Sequence, residues 1–244
     1  MEHIYLEQVL PEKIEERSFA IIEEELEQRG IRLKPDEELI VKRAIHTTAD
    51  FDYAANLVFS PDAPSLGIQA LKEGAVIVTD TNMAWSGINK RKAESLGCQV
   101  ICFMADEEVA REAREQGCTR AAASMEKAAR LFGGGQTASD DDKRDGNPLN
   151  DTENQKKPPV IIVVGNAPTA LVKLYQLMEE GRLHPALIIG VPVGFVNVVQ
   201  SKEWIISRTD VPYIVARGRK GGSNVAAAIV NALLYQTSPG RSMK

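Results

Sequence analysis

The sequence lacks the features that mark secreted, membrane or metal-binding proteins. Its three cysteines, Cys98, Cys102 and Cys118, show neither C-x-x-C spacing nor companion histidines, so we expect reduced thiols and no metal site. The N-terminus has no basic start followed by an apolar run, as a secretory signal would. Apolar runs such as 160–164 are far too short to span a bilayer. These absences predict a cytoplasmic protein without a membrane segment.

The sequence also has fewer basic than acidic side chains. The 244 residues contain 29 Lys and Arg against 34 Asp and Glu, giving a formal net charge of −5. This balance argues against general binding to nucleic acid or to an anionic membrane, so any basic surface must be local. Neither a G-x-G-x-x-G after the first predicted strand nor a G-x-x-x-x-G-K-[ST] occurs, which disfavours a nucleotide-dependent oxidoreductase.

The pattern that is present indicates an α/β protein. An apolar stripe over 14–28 predicts a helix that stops at Gly30, and a second helix runs from about Pro35 to His46. From Ala75 onward, short β-branched runs alternate with helical patterns, the first of which predicts a helix over about 83–96. The predicted strands are 75–79, 99–103, 160–164, 187–191 and 213–216. Strands followed by helices in this way predict a doubly wound, mostly parallel sheet covered on both faces, with N-terminal helices added.

One segment, 133–158, does not fit this series. It is rich in Gly, Asp, Asn and Lys and has almost nothing to bury, so we interpret it as a flexible inserted linker or surface loop. The patterns on either side continue one series, which favours a single domain over 1–244. Two domains divided at this segment are the alternative.

The stretch 41–59 holds the first candidate site residues. Arg43 lies three residues before His46, and residues at i and i+3 share a helix face. A guanidinium and an imidazole presented together could bind an anion and move a proton. Read alone, the stretch favours the competing interpretation, in which Arg43 is a solvated surface charge and His46 a partly buried histidine with satisfied hydrogen bonds.

The loops that follow the strands are the second place to look, because ligands of open parallel sheets bind beyond the carboxyl ends of the strands. Asn166 follows the third predicted strand. After the last strand, Arg217, Arg219 and Lys220 interleave with three glycines. Flexible backbone and guanidinium forks suit a ligand with several carboxylates or phosphates. A tight turn with solvated basic residues is the competing interpretation.

Seven segments together resemble a known family. They are 16–19, 43–46, 80–83, 165–171, 190–196, 201–203 and 217–223. In this order and spacing they resemble the precorrin-8X methylmutases, or precorrin isomerases, of the cobalamin pathway. The likeness covers nearly the whole chain except the linker.

The resemblance implies a flavodoxin-like, three-layer α/β/α domain, a homodimer, and a methyl shift from C-11 to C-12 that converts precorrin-8X, or cobalt-precorrin-8, to hydrogenobyrinate or cobyrinate. It implies no cofactor, with cobalt present only if the corrinoid substrate carries it. The position matched by His46 is the catalytic proton donor or acceptor, and those matched by Ser18 and Arg43 bind substrate.

The substrate chemistry extends this set. A corrinoid carries several acetate and propionate carboxylates, so an acidic protein must collect local cations, for which Arg43, Arg217, Arg219 and Lys220 are the candidates. We add Asn166 as a substrate-binding residue, and Arg17 and Lys202 as weaker candidates. A non-catalytic corrinoid carrier that uses the same residues is the alternative function.

Overall fold

The computed structural model describes residues 6–133 and 157–238. After a 3-10 helix at Pro11–Lys13, the helices are α1 (Ile14–Gln28), α2 (Glu38–Thr48), α3 (Tyr53–Asn56), α4 (Ala63–Lys72), α5 (Asn82–Gly87), α6 (Lys90–Glu94), α7 (Glu107–Glu115), α8 (Arg120–Phe132), α9 (Pro168–Glu179), α10 (Val198–Ile206) and α11 (Ser223–Gln236). The strands are β1 (Leu57–Phe59), β2 (Val76–Thr79), β3 (Gln99–Cys102), β4 (Val160–Val164), β5 (Leu187–Gly190) and β6 (Tyr213–Ala216).

The six strands form one sheet in the order β1-β6-β5-β4-β2-β3. Five strands are parallel, and only β1 runs antiparallel, at the edge beside β6. Without β1 the order is that of flavodoxin-like sheets, whose topological switch point here lies between β2 and β4. The prediction of a doubly wound, mostly parallel α/β fold is therefore confirmed.

Two apolar cores cover the two faces of the sheet. One joins α2, α4, α5, α6 and α11 to the sheet, and α1 packs onto it through Ile22 and Leu26. The other is formed by α7, α8, α9 and α10. The central strand β4 is entirely buried, which explains why its sequence is a continuous apolar run rather than an alternating one.

The N-terminal helices follow from local sequence. α1 buries Phe19, Ile22 and Leu26, which recur at helical spacing. It ends where Gly30 adopts a left-handed φ of 69°. There the amides of Gly30 and Ile31 donate to the carbonyls of Glu27 and Leu26, as in a Schellman cap. Both helices expected from the apolar pattern are present.

Two details of the sequence prediction were wrong. The helix expected over 83–96 is two helices, because Asn231 of α11 binds the backbone between them, accepting from the Asn89 amide and donating to the Gly87 carbonyl. The three-residue strand β1 was not predicted, since its sheet partner, β6, is about 160 residues away in sequence. The proposed linker lies, for residues 134–156, outside the described residues. Strand β4, which follows it in the chain, pairs directly with β2, which lies before it.

Candidate functional site

His46 lies in the last turn of α2 with its side chain exposed. Its ring centroid is 5.3 Å from that of Phe19, on the neighbouring helix α1. Within the described ranges, the His46 imidazole accepts and donates no hydrogen bond. The imidazole is therefore held by an aromatic contact and is free to bond to a ligand.

Arg43 shares this face, as the i, i+3 spacing predicted. Its guanidinium carbon is 5.0 Å from the ring centroids of both Phe19 and Tyr235, the latter on α11. One end of the guanidinium donates to Glu15. Its Nε is buried and has no hydrogen-bond partner among the described residues. Two aromatic rings thus fix the direction of this cation, while its hydrogen-bonding capacity is only partly used.

Ser18 is on the same helix as Phe19, but its hydroxyl is used internally. The Ser18 Oγ donates to the Ile14 carbonyl at 2.8 Å, so the expected hydrogen bond to a ligand carboxylate would require this one to break. Arg17 forms ion pairs with Glu7 and Glu24.

The basic residues after β6 lie in one loop, residues 217–222, which we call the basic loop. Arg217 binds Glu203 with two hydrogen bonds of 2.9 and 3.1 Å. The Lys220 amine binds both Asp50 and Asp52 at 2.6 Å, and these carboxylates hold the pKa of Lys220 above its usual range. Two of the three cations of the basic loop are therefore neutralised by the protein's own carboxylates.

These same contacts attach the basic loop to the segment that follows His46. Ala49 ends α2 with a left-handed φ of 53°, an uncommon conformation for alanine that redirects the chain. Asp50 and Asp52 follow immediately and bind Lys220, and the Arg217 amide donates to the Asn56 carbonyl at 2.7 Å. The structure thus joins the basic loop to the segment that directly follows His46, although the two are about 170 residues apart in sequence.

Arg219 differs from its two neighbours in the basic loop. It forms no ion pair with a carboxylate of the described residues and lies over the Phe195 ring at 5.3 Å. Phe195 and Val196 are each 79% exposed, in the loop 191–197 that follows β5. Backbone hydrogen bonds from Gly194 to Arg219 and from Gly222 to Val191 join the two loops. An unpaired cation beside an exposed apolar surface suits a ligand that is both anionic and largely apolar.

The topological switch point itself is occupied by the protein. The buried Asp80 carboxylate accepts hydrogen bonds of 2.7 to 2.9 Å from the amides of Gly165, Asn166 and Ala167, just before α9. Burial raises the pKa of Asp80, and these amide donors oppose that shift. Because Asp80 fills the place where nucleotide phosphates bind in such folds, this geometry disfavours a nucleotide site. The Asn166 side chain is exposed at the rim of the switch point.

Lys202 does not present its amine to a ligand, contrary to the expectation from sequence. It is completely buried in α10, and its Nζ donates to the carbonyls of Gly218 and Lys220 at 2.9 and 2.8 Å. Burial lowers the pKa of Lys202 to about 8. Its amine therefore binds the backbone of the basic loop from the side that faces α10.

Neither a metal site nor a membrane-spanning helix is found in the ranges 6–133 and 157–238. No three or more His, Cys, Asp or Glu residues are grouped so that they could hold a metal ion. No helix in these ranges has the length and apolar character needed to cross a bilayer.

Comparison with known proteins identifies the family. The precorrin-8X methylmutase family model matches residues 13–236, which include every candidate site residue predicted from the sequence. The chain belongs to the precorrin-8X methylmutase family. As a member, it is an isomerase, a methylmutase of cobalamin biosynthesis, and the resemblance noted in its sequence is confirmed.

Individual relatives agree with this assignment along almost their whole length. A cobalt-precorrin-8 methylmutase of Leptospira interrogans is 41% identical over 234 residues, which cover 94% of this chain and 95% of that protein. A precorrin-8X methylmutase of Pseudomonas aeruginosa is 36% identical over 218 residues, covering 89% and 91%. The crystal structure of the Thermus thermophilus precorrin-8X methylmutase matches with a TM-score of 0.73 and 34% identity, covering 92% of this chain and 97% of that one.

Several residues of this candidate site were not found by sequence reasoning. Phe19 and Tyr235 bracket Arg43, and Asp50 and Asp52 bind Lys220. Asp80 was included only as part of the matched segment 80–83. An acidic residue directly after a buried strand, such as Asp80, is a signal for a carboxylate that binds a neighbouring loop. Nothing local in the sequence marks the two aromatic residues or the two aspartates that bind Lys220.

Proposed function

We propose that this chain catalyses the migration of a methyl group from C-11 to C-12 of a precorrin-8 corrinoid. The product is hydrogenobyrinate, or cobyrinate when the macrocycle carries cobalt. The observation that carries the proposal is the exposed His46 imidazole, beside the Arg43 guanidinium and on the same segment as the carboxylates that bind the basic loop. A group able to transfer a proton and cations able to bind carboxylates thereby lie on connected segments of the chain.

We assign the proton transfer to His46. A methyl migration leaves the composition of the macrocycle unchanged and requires no redox partner, so the enzyme must hold the macrocycle in a reactive shape and settle the protonation of its π-system. An imidazole titrates near neutral pH and suits this role. A single placed acid or base typically contributes about 10²–10⁴-fold to the rate. The proposed reaction uses no cofactor, and cobalt enters only as part of the substrate.

The cations would bind the acetate and propionate groups. Arg43, Arg217, Arg219 and Lys220 are assigned to these carboxylates, with Ser18 and Asn166 as further hydrogen-bonding residues. Exposed ion pairs such as those of Arg217 and Lys220 contribute little to stability, because water screens the two charges. Substrate carboxylates can therefore replace Glu203, Asp50 and Asp52 at little cost, and the protein carboxylates keep the loop in place until they do.

The proposal includes the setting of the enzyme. We expect a cytoplasmic homodimer whose small-molecule substrate is the corrinoid, with no nucleic acid or membrane partner. The negative net charge agrees with this, because it leaves the basic loop as a local anion site on an acidic surface.

The test is turnover of precorrin-8, with and without cobalt, followed by visible spectrum and product mass. The wild-type protein should change the spectrum catalytically without changing the mass. His46→Ala should lower kcat by about 10²-fold or more while the dissociation constant stays within about threefold. His184→Ala, which changes another histidine, is the control. Binding without turnover by the wild type would support the carrier instead, and near-normal turnover by His46→Ala would remove His46 from the chemistry.

A further inference from the structure

Lys202 has an environment that packing alone does not explain. Its side chain is completely buried, although lysine is rarely fully buried without a partner of opposite charge. No carboxylate in the described ranges forms an ion pair with it. Its two hydrogen-bond acceptors are backbone carbonyls, those of Gly218 and Lys220. An apolar residue of similar length would avoid the cost of burying an amine, so the amine must do something that an apolar residue could not.

The two acceptors belong to the basic loop. Their carbonyls point inward, toward α10, and would have no donor without the Lys202 amine. A buried carbonyl left unpaired is costly. The loop would then turn those carbonyls outward to water, and the side chains of the same residues would move with them.

The basic loop also cannot adopt another conformation while its hydrogen bonds to the Lys202 amine are intact. A Cβ on Gly221, which has a φ of 159°, would lie 2.1 Å from the Val191 carbonyl oxygen, so the loop is pressed against residues 191–192. On the other side, Glu203, the residue after Lys202, binds the Arg217 side chain. Two consecutive residues of α10 therefore hold the basic loop. Lys202 binds its backbone on the inner side, and Glu203 binds the Arg217 side chain on the outer side.

We propose that Lys202 is a positioning residue for substrate binding, whose buried amine fixes the backbone of residues 218–220 so that Arg217, Arg219 and Lys220 meet the substrate carboxylates. This inference rests on the proposed function, which supplies the ligand. Lys202 does not touch the substrate. Its effect is exerted through the three cations above it.

The experiment compares Lys202→Met with Ser201→Ala. Methionine retains the apolar stem and removes the donor. Ser201 is the neighbouring buried residue, and its hydroxyl donates within α10 to the Val198 carbonyl rather than to the basic loop, so its removal reports damage to the helix alone. Lys202→Gln, which keeps two N–H donors on a shorter side chain, is measured alongside as a variant less prone to unfold.

The first readout needs no substrate. Trypsin cleaves after Arg217, Arg219 and Lys220 only when the loop leaves its place, and mass spectrometry of the fragments locates each cut. Lys202→Met should raise the rate of cleavage at these three bonds by about tenfold or more, whereas Ser201→Ala should leave it near that of the wild type. Equal cleavage rates in the two variants would overturn the inference.

The second readout is turnover of precorrin-8. KM of Lys202→Met should rise about tenfold or more with kcat within about threefold, because contacts to peripheral carboxylates bind the ground state and the transition state alike. Lys202→Gln should fall between Lys202→Met and the wild type, and it carries the test if Lys202→Met does not fold. A mobile loop with unchanged KM would overturn the positioning role. A wild-type protein that does not turn over precorrin-8 would instead refute the proposed function, since the cleavage result stands by itself.

Discussion

The rings of Phe19 and His46 lie with their centroids 5.3 Å apart and their planes tilted by 33°. The Phe19 ring also lies 5.0 Å from the Arg43 guanidinium. Phe19 is 7% exposed and anchored in the face that α1 presents to the core. One buried ring therefore sets the positions of the proposed proton-transfer residue and of an adjacent cation, although it carries no reactive group itself.

Replacing Phe19 by leucine should damage catalysis more than stability. The change keeps an apolar residue but removes the flat surface against the imidazole and the guanidinium, so we expect kcat to fall and KM to rise, each by about threefold to tenfold. Ile22→Val, a change on the same face of α1, is the control. Both variants should lose about 1 kcal/mol of unfolding free energy in urea titrations. Equal steady-state kinetics in the two variants would show that Phe19 only fills space.

The cations of the basic loop should contribute unequally. Arg217 must give up Glu203 to bind a substrate carboxylate, whereas Arg219 has no carboxylate partner in the described part of the chain. Arg219→Met should therefore raise KM about tenfold, and Arg217→Met by about threefold or less. The effect of Arg219→Met should shrink at high salt, which screens exposed charges. KM measured at low and high salt checks both statements, and a larger effect at Arg217 would contradict them.

Asp80 should be required for stability. Asparagine at this position would place an amide nitrogen, itself a donor, against at least one of the amides of Gly165, Asn166 and Ala167. Asp80→Asn should therefore lower the unfolding free energy by about 1–3 kcal/mol, although it relieves the cost of burying a charge. Asp62→Asn is the control, since the exposed Asp62 makes no side-chain capping bond. An unchanged urea midpoint in Asp80→Asn would show that the carboxylate is dispensable.

Local patterns predicted most of this fold and part of the site. The parallel strands follow from β-branched runs such as Val160–Val164, and the shared face of Arg43 and His46 follows from helical spacing. The composition of 217–222 marked the basic loop. What the sequence could not provide were the partners, because they depend on tertiary contacts between distant segments.

Lys202 illustrates this limit. Its neighbours in sequence indicate only a helix, and an exposed lysine is the usual expectation for such a pattern. Its burial and its two carbonyl acceptors depend on how the loop after β6 folds over α10. The same holds for Tyr235, which is almost 200 residues from the arginine that it contacts.

The buried amine of Lys202 should also make stability depend on pH. Burial lowers its pKa from 10.5 to about 8, so the folded state holds this proton less tightly than the unfolded state does. Between about pH 8 and pH 10.5 the unfolded state binds more protons than the folded state. The unfolding free energy therefore rises with pH in this window. The contribution of Lys202 to unfolding free energy should accordingly be smallest below pH 8 and increase up to about pH 10.5.

Urea titrations of the wild type and Lys202→Met across this range measure that contribution, because the other groups titrate alike in both proteins and cancel in the difference. The nearby charged side chains, Glu203, Arg217, Arg219 and Lys220, are retained in both. The wild-type unfolding free energy minus that of Lys202→Met should increase by up to about 3 kcal/mol as the pH rises through the window. A difference that stays flat would mean that Lys202 keeps its ordinary pKa when folded. The charge would then persist under the basic loop throughout this range, and substrate binding would depend on it equally at pH 7 and pH 9.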